Sequence, residues 1–68
     1  MVKVERIRYQ DGNGLAVMDL QVSTAAELPA LKSKIGRYTV DSGSIAQIIQ
    51  AGELVTLDED GTWYPEQS

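Results

Sequence analysis

Apolar and polar positions alternate through the first third of the chain. Val2, Val4, Ile7 and Tyr9 mark residues 2–9, while Ala16, Met18, Leu20 and Val22 keep a single parity across 15–22. A period of two is the mark of a strand with one face buried. Between the two runs lies Asp11-Gly12-Asn13-Gly14, residues that tolerate the positive φ of hairpin loops. The pattern predicts an antiparallel hairpin, 2–9 against 15–22. Gln10 then stands opposite Leu15, with Tyr9 opposite Ala16 and Ile7 opposite Met18 on the apolar side. Arg6 faces Asp19 on the polar side as a favourable cross-strand pair. One defect interrupts the first run: Val2 and Val4 are even, Ile7 and Tyr9 odd. A one-residue bulge near Glu5 or Arg6 returns all four to one face.

The C-terminal third predicts a second hairpin, 53–57 against 62–65. Leu54-Val55-Thr56-Leu57 alternates, and Glu59-Asp60-Gly61 makes a three-residue loop with Gly61 at positive φ, which sets Leu57 opposite Trp63. Pro65 fits only a strand end or a sheet edge. Between the hairpins the pattern is weaker. Thr24 and Glu27 have the spacing of a capping box over a short helical segment at 24–28, which Pro29 stops. Arg37-Tyr38-Thr39-Val40 has strand propensity and ends at a turn, Asp41-Ser42-Gly43. Residues 44–51 admit two readings. Ile45, Ile48 and Ile49 at i, i+3 and i+4, with Ser44 to cap and Gly52 to terminate, favour a short helix. As a strand they would put isoleucine on both faces. The sequence thus predicts a mainly β fold: a small antiparallel sheet built from hairpins, with at most one or two short helical segments. Residues 1–65 form one domain and 66–68 a frayed tail.

Composition narrows the chemistry. The 68 residues include no His, Cys or Phe, which excludes an imidazole base, a thiol nucleophile, a disulfide framework and a zinc finger. A chain of this length buries only about 60% of the surface its unfolded form exposes, so no deep substrate cavity is expected. The opening MVKVERIRYQ lacks the apolar stretch of a signal peptide. No apolar run nears the roughly 18 residues of a membrane span. The formal charge of −4 is unevenly spread. Residues 1–37 hold all six bases (Lys3, Arg6, Arg8, Lys32, Lys34, Arg37) against four acids, a net +2. The remainder holds Asp41, Glu53, Asp58, Glu59, Asp60 and Glu66 with no base, a net −6. Either the halves interleave in one sheet and cross-pair, or they present a basic and an acidic face to neighbours. Nucleic acid is not an expected partner for an acidic chain without a basic stripe.

Each candidate site meets a simpler explanation. Aligned to a calcium loop, Asp58, Asp60 and Gly61 fall at the third, fifth and sixth places, but Thr56 and Gln67 occupy the first and twelfth, where carboxylates are required. Ser42-Gly43-Ser44 lacks the lysine and spacing of a phosphate loop. A Ser–Lys pair with Lys32 or Lys34 is formally available, but both look like solvated lysines. No enzyme, cofactor, metal or small-molecule substrate is expected. Trp63 is a core candidate. Its neighbour Tyr64 must point to the opposite face. Tyr64, together with Tyr38, is the predicted partner-contact pair, because tyrosine is enriched at interfaces.

Val22-Ser23-Thr24-Ala25-Ala26-Glu27-Leu28-Pro29, Gly43-Ser44-Ile45-Ala46, and Gly52-Glu53-Leu54-Val55-Thr56-Leu57 with Gly61-Thr62-Trp63-Tyr64 together resemble small phage and prophage proteins of Gram-positive bacteria. Those share an AxLP step, a GSxA start and a hairpin ending L-x-x-x-G-x-W. The resemblance covers residues 22–64 and departs at Gln47 and Gln50, where the family more often has apolar or aromatic residues. It implies a strand at 44–50 paired to 53–57. In function it implies a non-enzymatic, prophage-encoded structural or interaction module, an accessory component of a phage head or tail. Such a module would bind a phage structural protein or itself, in the host cytoplasm during assembly or in the virion. The alternative is a small intracellular regulator or inhibitor that grips a basic partner through its acidic C-terminal half.

Overall fold

A computed structural model describes residues 2–66. Seven strands follow in order: β1 (Lys3–Gln10), β2 (Leu15–Val22), β3 (Lys34–Ile35), β4 (Tyr38–Val40), β5 (Ile45–Ile48), β6 (Glu53–Leu57) and β7 (Trp63–Pro65), with one 3-10 turn at Ala25–Glu27 between β2 and β3. The architecture is mainly β, and both predicted hairpins are present. The helical reading of 44–51 is corrected: Ile45–Ile48 is a strand paired to β6. Ala46 and Ile48 are buried, and Ile49 begins the turn into β6, so the i, i+4 spacing comes from a chain that leaves its strand after Ile48.

The sheet is mixed. β2 pairs with β1 antiparallel along one edge. Its other edge carries two short parallel partners in succession, β4 against Leu15 and Ala16, then β5 against residues 19–22. β4 and β5 thus act as one interrupted strand, and the turn at 41–44 loops out between them. Ser44 closes the seam. It is wholly buried, its Oγ accepts from the Met18 N–H at 3.2 Å, and its hydroxyl donates to the Asp41 carbonyl at 2.7 Å. A side chain here replaces the backbone partner that the interrupted ladder lacks, as a buried N–H requires.

The first hairpin turns as its residues dictate. The Asp11 N–H donates to the Leu15 carbonyl at 2.9 Å. Asp11 Oδ1 accepts from the N–H groups of Asn13 and Leu15 at 2.8 and 2.9 Å, and Gly14 takes φ +92. The expected bulge lies between Val4 and Arg6, and Ile7–Met18 and Arg6–Asp19 pair as predicted. A second irregularity, between Ile7 and Tyr9, was not expected. It shifts the register, so Gln10 pairs with Ala16 rather than Leu15, and Tyr9 with Val17 rather than Ala16. Val2, Val4 and Ile7 still pack on the core, whereas Tyr9 moves to the other face, 63% exposed.

The inner face carries the core: Ala16, Met18, Leu20 and Val22 from β2, with Val40, Ala46, Ile48, Val55 and Leu57. One sheet cannot bury its own face, and residues 23–33 supply the cover. Glu27 fixes its start by accepting from the N–H groups of Ser23 and Thr24. Leu28 and Leu31 lie against the core, and the Trp63 indole N–H donates to the Pro29 carbonyl at 2.8 Å. Trp63 pairs with Leu57 as predicted and is half-buried under this cover. At its far end the Lys32 N–H reaches the Val40 carbonyl at 2.8 Å, with Lys32 at φ +66. The Glu66 N–H donates to the Leu54 carbonyl at 2.8 Å, which holds this residue to β6. The rest of the expected tail, 67–68, lies outside the described residues. Among the described residues no helix is long and apolar enough to cross a membrane.

Candidate functional site

The face opposite the core is where side chains are available to a partner. Register lines its residues up in rows across the strands. One row reads Arg6, Asp19, Ile45, Thr56, Tyr64, and the next Lys3, Gln21, Gln47, Leu54. Gln21 and Gln47 join across the β2–β5 boundary through a 3.4 Å side-chain hydrogen bond. Strand parity puts these residues outward because their neighbours Leu20, Val22, Ala46, Ile48, Val55 and Leu57 are buried.

Charge divides this face. At the β1 edge, Asp19 accepts from both arginines: Arg6 Nη2 lies 3.1 Å from Oδ2 and Arg8 Nε 2.7 Å from Oδ1. Arg8 also crosses β2 to donate to the Gly43 carbonyl at 2.9 Å. At the β6–β7 end stand Asp58, Glu59, Asp60 and Glu66, all exposed, while the exposed Glu53 shares the strand parity of the buried Val55 and Leu57. β5, between them, has no charged residue. Of the two readings the sequence left open, cross-pairing of the halves is represented by no ion pair among the described residues. Among the described residues, both side-chain ion pairs fall within the first 37 positions. Strand order explains it: four strand spacings separate β1 from β7 through β2, β5 and β6. That is about 19 Å along the sheet, more than twice the Debye length of about 8 Å at physiological salt. A second basic group, Lys32, Lys34 and Arg37, is exposed on and beside the β3–β4 hairpin.

The two predicted contact tyrosines are separated. Tyr64 faces outward, 47% exposed, and its hydroxyl donates to Asp60 Oδ2 at 2.7 Å. That bond, with a second from the Thr62 N–H, holds the Asp60 carboxyl below its ordinary range, and the same carboxylate pushes the Tyr64 phenol up. Tyr38 instead packs against the core from the inner face. Three residues that sequence reasoning left out of the site are exposed and apolar: Ile49 (52%), Leu54 (46%) and Tyr9. The alternation of 54–57 already carried the signal for Leu54. Ile49 was concealed by the helical reading, and Tyr9 by the second bulge.

The remaining motifs serve the backbone. Asp60 Oδ1 accepts from the Thr62 N–H, and the Asp58 N–H donates to the Thr62 carbonyl, so this segment is a hairpin loop. In Ser42-Gly43-Ser44, the Ser42 N–H is taken by the Asp41 carboxylate and the Gly43 N–H by the Leu57 carbonyl. Among the described residues no three carboxylates converge as they would on a metal ion. No protein-family model matches the chain, and neither curated proteins nor solved structures yield a match.

Proposed function

We propose that this protein is a non-enzymatic interaction module that binds another protein through the outer face of β5, β6 and β7. One observation carries the reading. Leu54 and Tyr64 are each about half exposed on that face, Ile49 is about half exposed in the turn that follows β5, and Asp60 and Glu66 are exposed beside Tyr64. An apolar centre inside a charged rim has the anatomy of a protein interface. Leu54 and Tyr64 are diagonal neighbours on adjacent strands, close enough to be covered by one partner surface.

The likeness of residues 22–64 to phage accessory proteins supports a setting in a phage head or tail. The test is made in the host that encodes the chain, after prophage induction. Wild-type protein is expected in the particle fraction by mass spectrometry. The Leu54→Asp variant, with unchanged circular dichroism, is expected in the soluble fraction. Absence of wild-type protein from particles overturns the virion role. The outward, uncompensated carboxylates favour a second reading, a regulator that grips a basic partner. That reading requires one soluble host protein, released as salt rises.

A further inference from the structure

Four large apolar side chains are exposed, and they fall on opposite sides of the charge divide. Ile49, Leu54 and Tyr64 lie among the carboxylates of the β6–β7 end. Tyr9 lies at the other end, and its pairing with Val17 puts it on the outer face with Lys3 and Arg6. The β1 end holds Lys3, Arg6 and Arg8 against Glu5 and Asp19, a net +1, while the β6–β7 end holds only carboxylates, so each end combines apolar surface with a net charge and the signs are opposite. We infer that the partner this face receives is a second copy of the chain, with Tyr9 and the basic β1 end of one copy seated on the Ile49–Leu54–Tyr64 patch of the next. The inference rests on the interaction-module reading and names its partner.

Association through faces rather than strand edges follows from how the edges are built. β1 is bulged twice and carries Lys3, Arg6 and Arg8. β7 has three residues and ends in Pro65, and β3 has two. Bulges, bases, proline and shortness are the features that block strand addition. Opposite charge then selects orientation, because like ends repel. The surface of 4421 Å² is close to the about 4,200 Å² of a compact monomer of this mass. That is the surface of a compact fold that needs no partner to close its core, so the contact belongs to the small, reversible class below about 1,200 Å².

Unlike surfaces allow a decisive test with the purified full chain. One variant loses the basic end (Lys3→Gln with Tyr9→Ser), leaving Arg6 and Arg8 on Asp19. The other loses the acceptor patch (Leu54→Asp). Both are checked for wild-type circular dichroism and then sedimented over a range of concentrations at about 0.01 M salt. Wild type is expected above the 7.4 kDa monomer mass, increasingly so with concentration. It should dissociate at about 1 M salt, where the Debye length falls from about 30 to about 3 Å. Each variant alone is expected to lose at least about tenfold in association. Mixed together they should form a 1:1 complex, because each keeps the surface the other lacks. A wild-type chain that stays monomeric, or a mixture that does not associate, overturns the inference. If the wild type is monomeric while Leu54→Asp still leaves the particle fraction, the self-contact fails and the module reading stands.

Discussion

Replacing Ser44 by Ala tests how the interrupted parallel ladder is held. Ser44 is fully buried, so the substitution leaves the Met18 N–H without its partner in a place water does not reach, and the Asp41 carbonyl loses a 2.7 Å donor. A buried unsatisfied group costs about 1–3 kcal/mol, and the hydroxyl leaves too little space for a replacing water. The expected loss is about 2 kcal/mol, which for a domain of 68 residues lowers Tm by about 8–16 °C. Ser33→Ala is the control. It also removes one hydroxyl donor, to the Ala30 carbonyl, but at an exposed bond, and should cost below about 0.5 kcal/mol. Urea unfolding followed by the fluorescence of the single tryptophan, Trp63, gives both values, with an unchanged m-value certifying the comparison. Amide exchange adds a local readout: the Met18 N–H should exchange faster in Ser44→Ala. A cost below about 0.5 kcal/mol for Ser44→Ala, with Met18 still protected, would refute the role given to this side chain.

Two further outcomes are expected. In a pH titration with NMR detection, Tyr64 should ionise above its ordinary value of 10.0, and Asp60→Asn should bring it back down, since that carboxylate is the main cause of the rise. The raised phenol contributes stability below pH 10 that is lost as pH climbs through the raised value. The lowered Asp60 contributes above its ordinary 3.8, and that is lost as pH falls through the lowered value. An unmoved Tyr64 in Asp60→Asn would remove the coupling. Lys32→Gly should raise the urea midpoint. Lys32 is the one non-glycine residue described at positive φ; relief of about 1–2 kcal/mol exceeds the roughly 0.4–1 kcal/mol of added unfolded-state freedom. A lower midpoint contradicts this.

Local chemistry made the hairpins legible. Asp11 to Gly14 and Asp58 to Gly61 each combine a side-chain acceptor with a glycine at positive φ, and such loops fix register within a few residues. The even parity of β2 likewise located the core. Three features escaped. The second bulge of β1 has no parity break to announce it, because Tyr9 looks apolar in either register. Parallel pairing of β2 with β4 and β5 leaves no local trace, since the partners meet only through long connections. Residues 44–51 misled because a buried strand with an apolar turn residue behind it mimics helical spacing. At the site, Tyr64 was legible from the inward Trp63 beside it. Tyr38 was not, since only its pairing decides its face.

β2 touches β1, β4 and β5, and the three contacts form at unequal cost. The β1 contact closes over one tight turn. The other edge joins positions such as Met18 and Ser44, 26 residues apart. Loop closure makes near contacts form early and far ones late. It therefore favours the β1–β2 turn first and delays the pairing of β2 with β4 and β5. The Ser44 side chain, bonded to the Met18 N–H, is thus the piece that closes the free edge of β2 at the break between its two parallel partners. That edge would otherwise offer unpaired backbone to another strand.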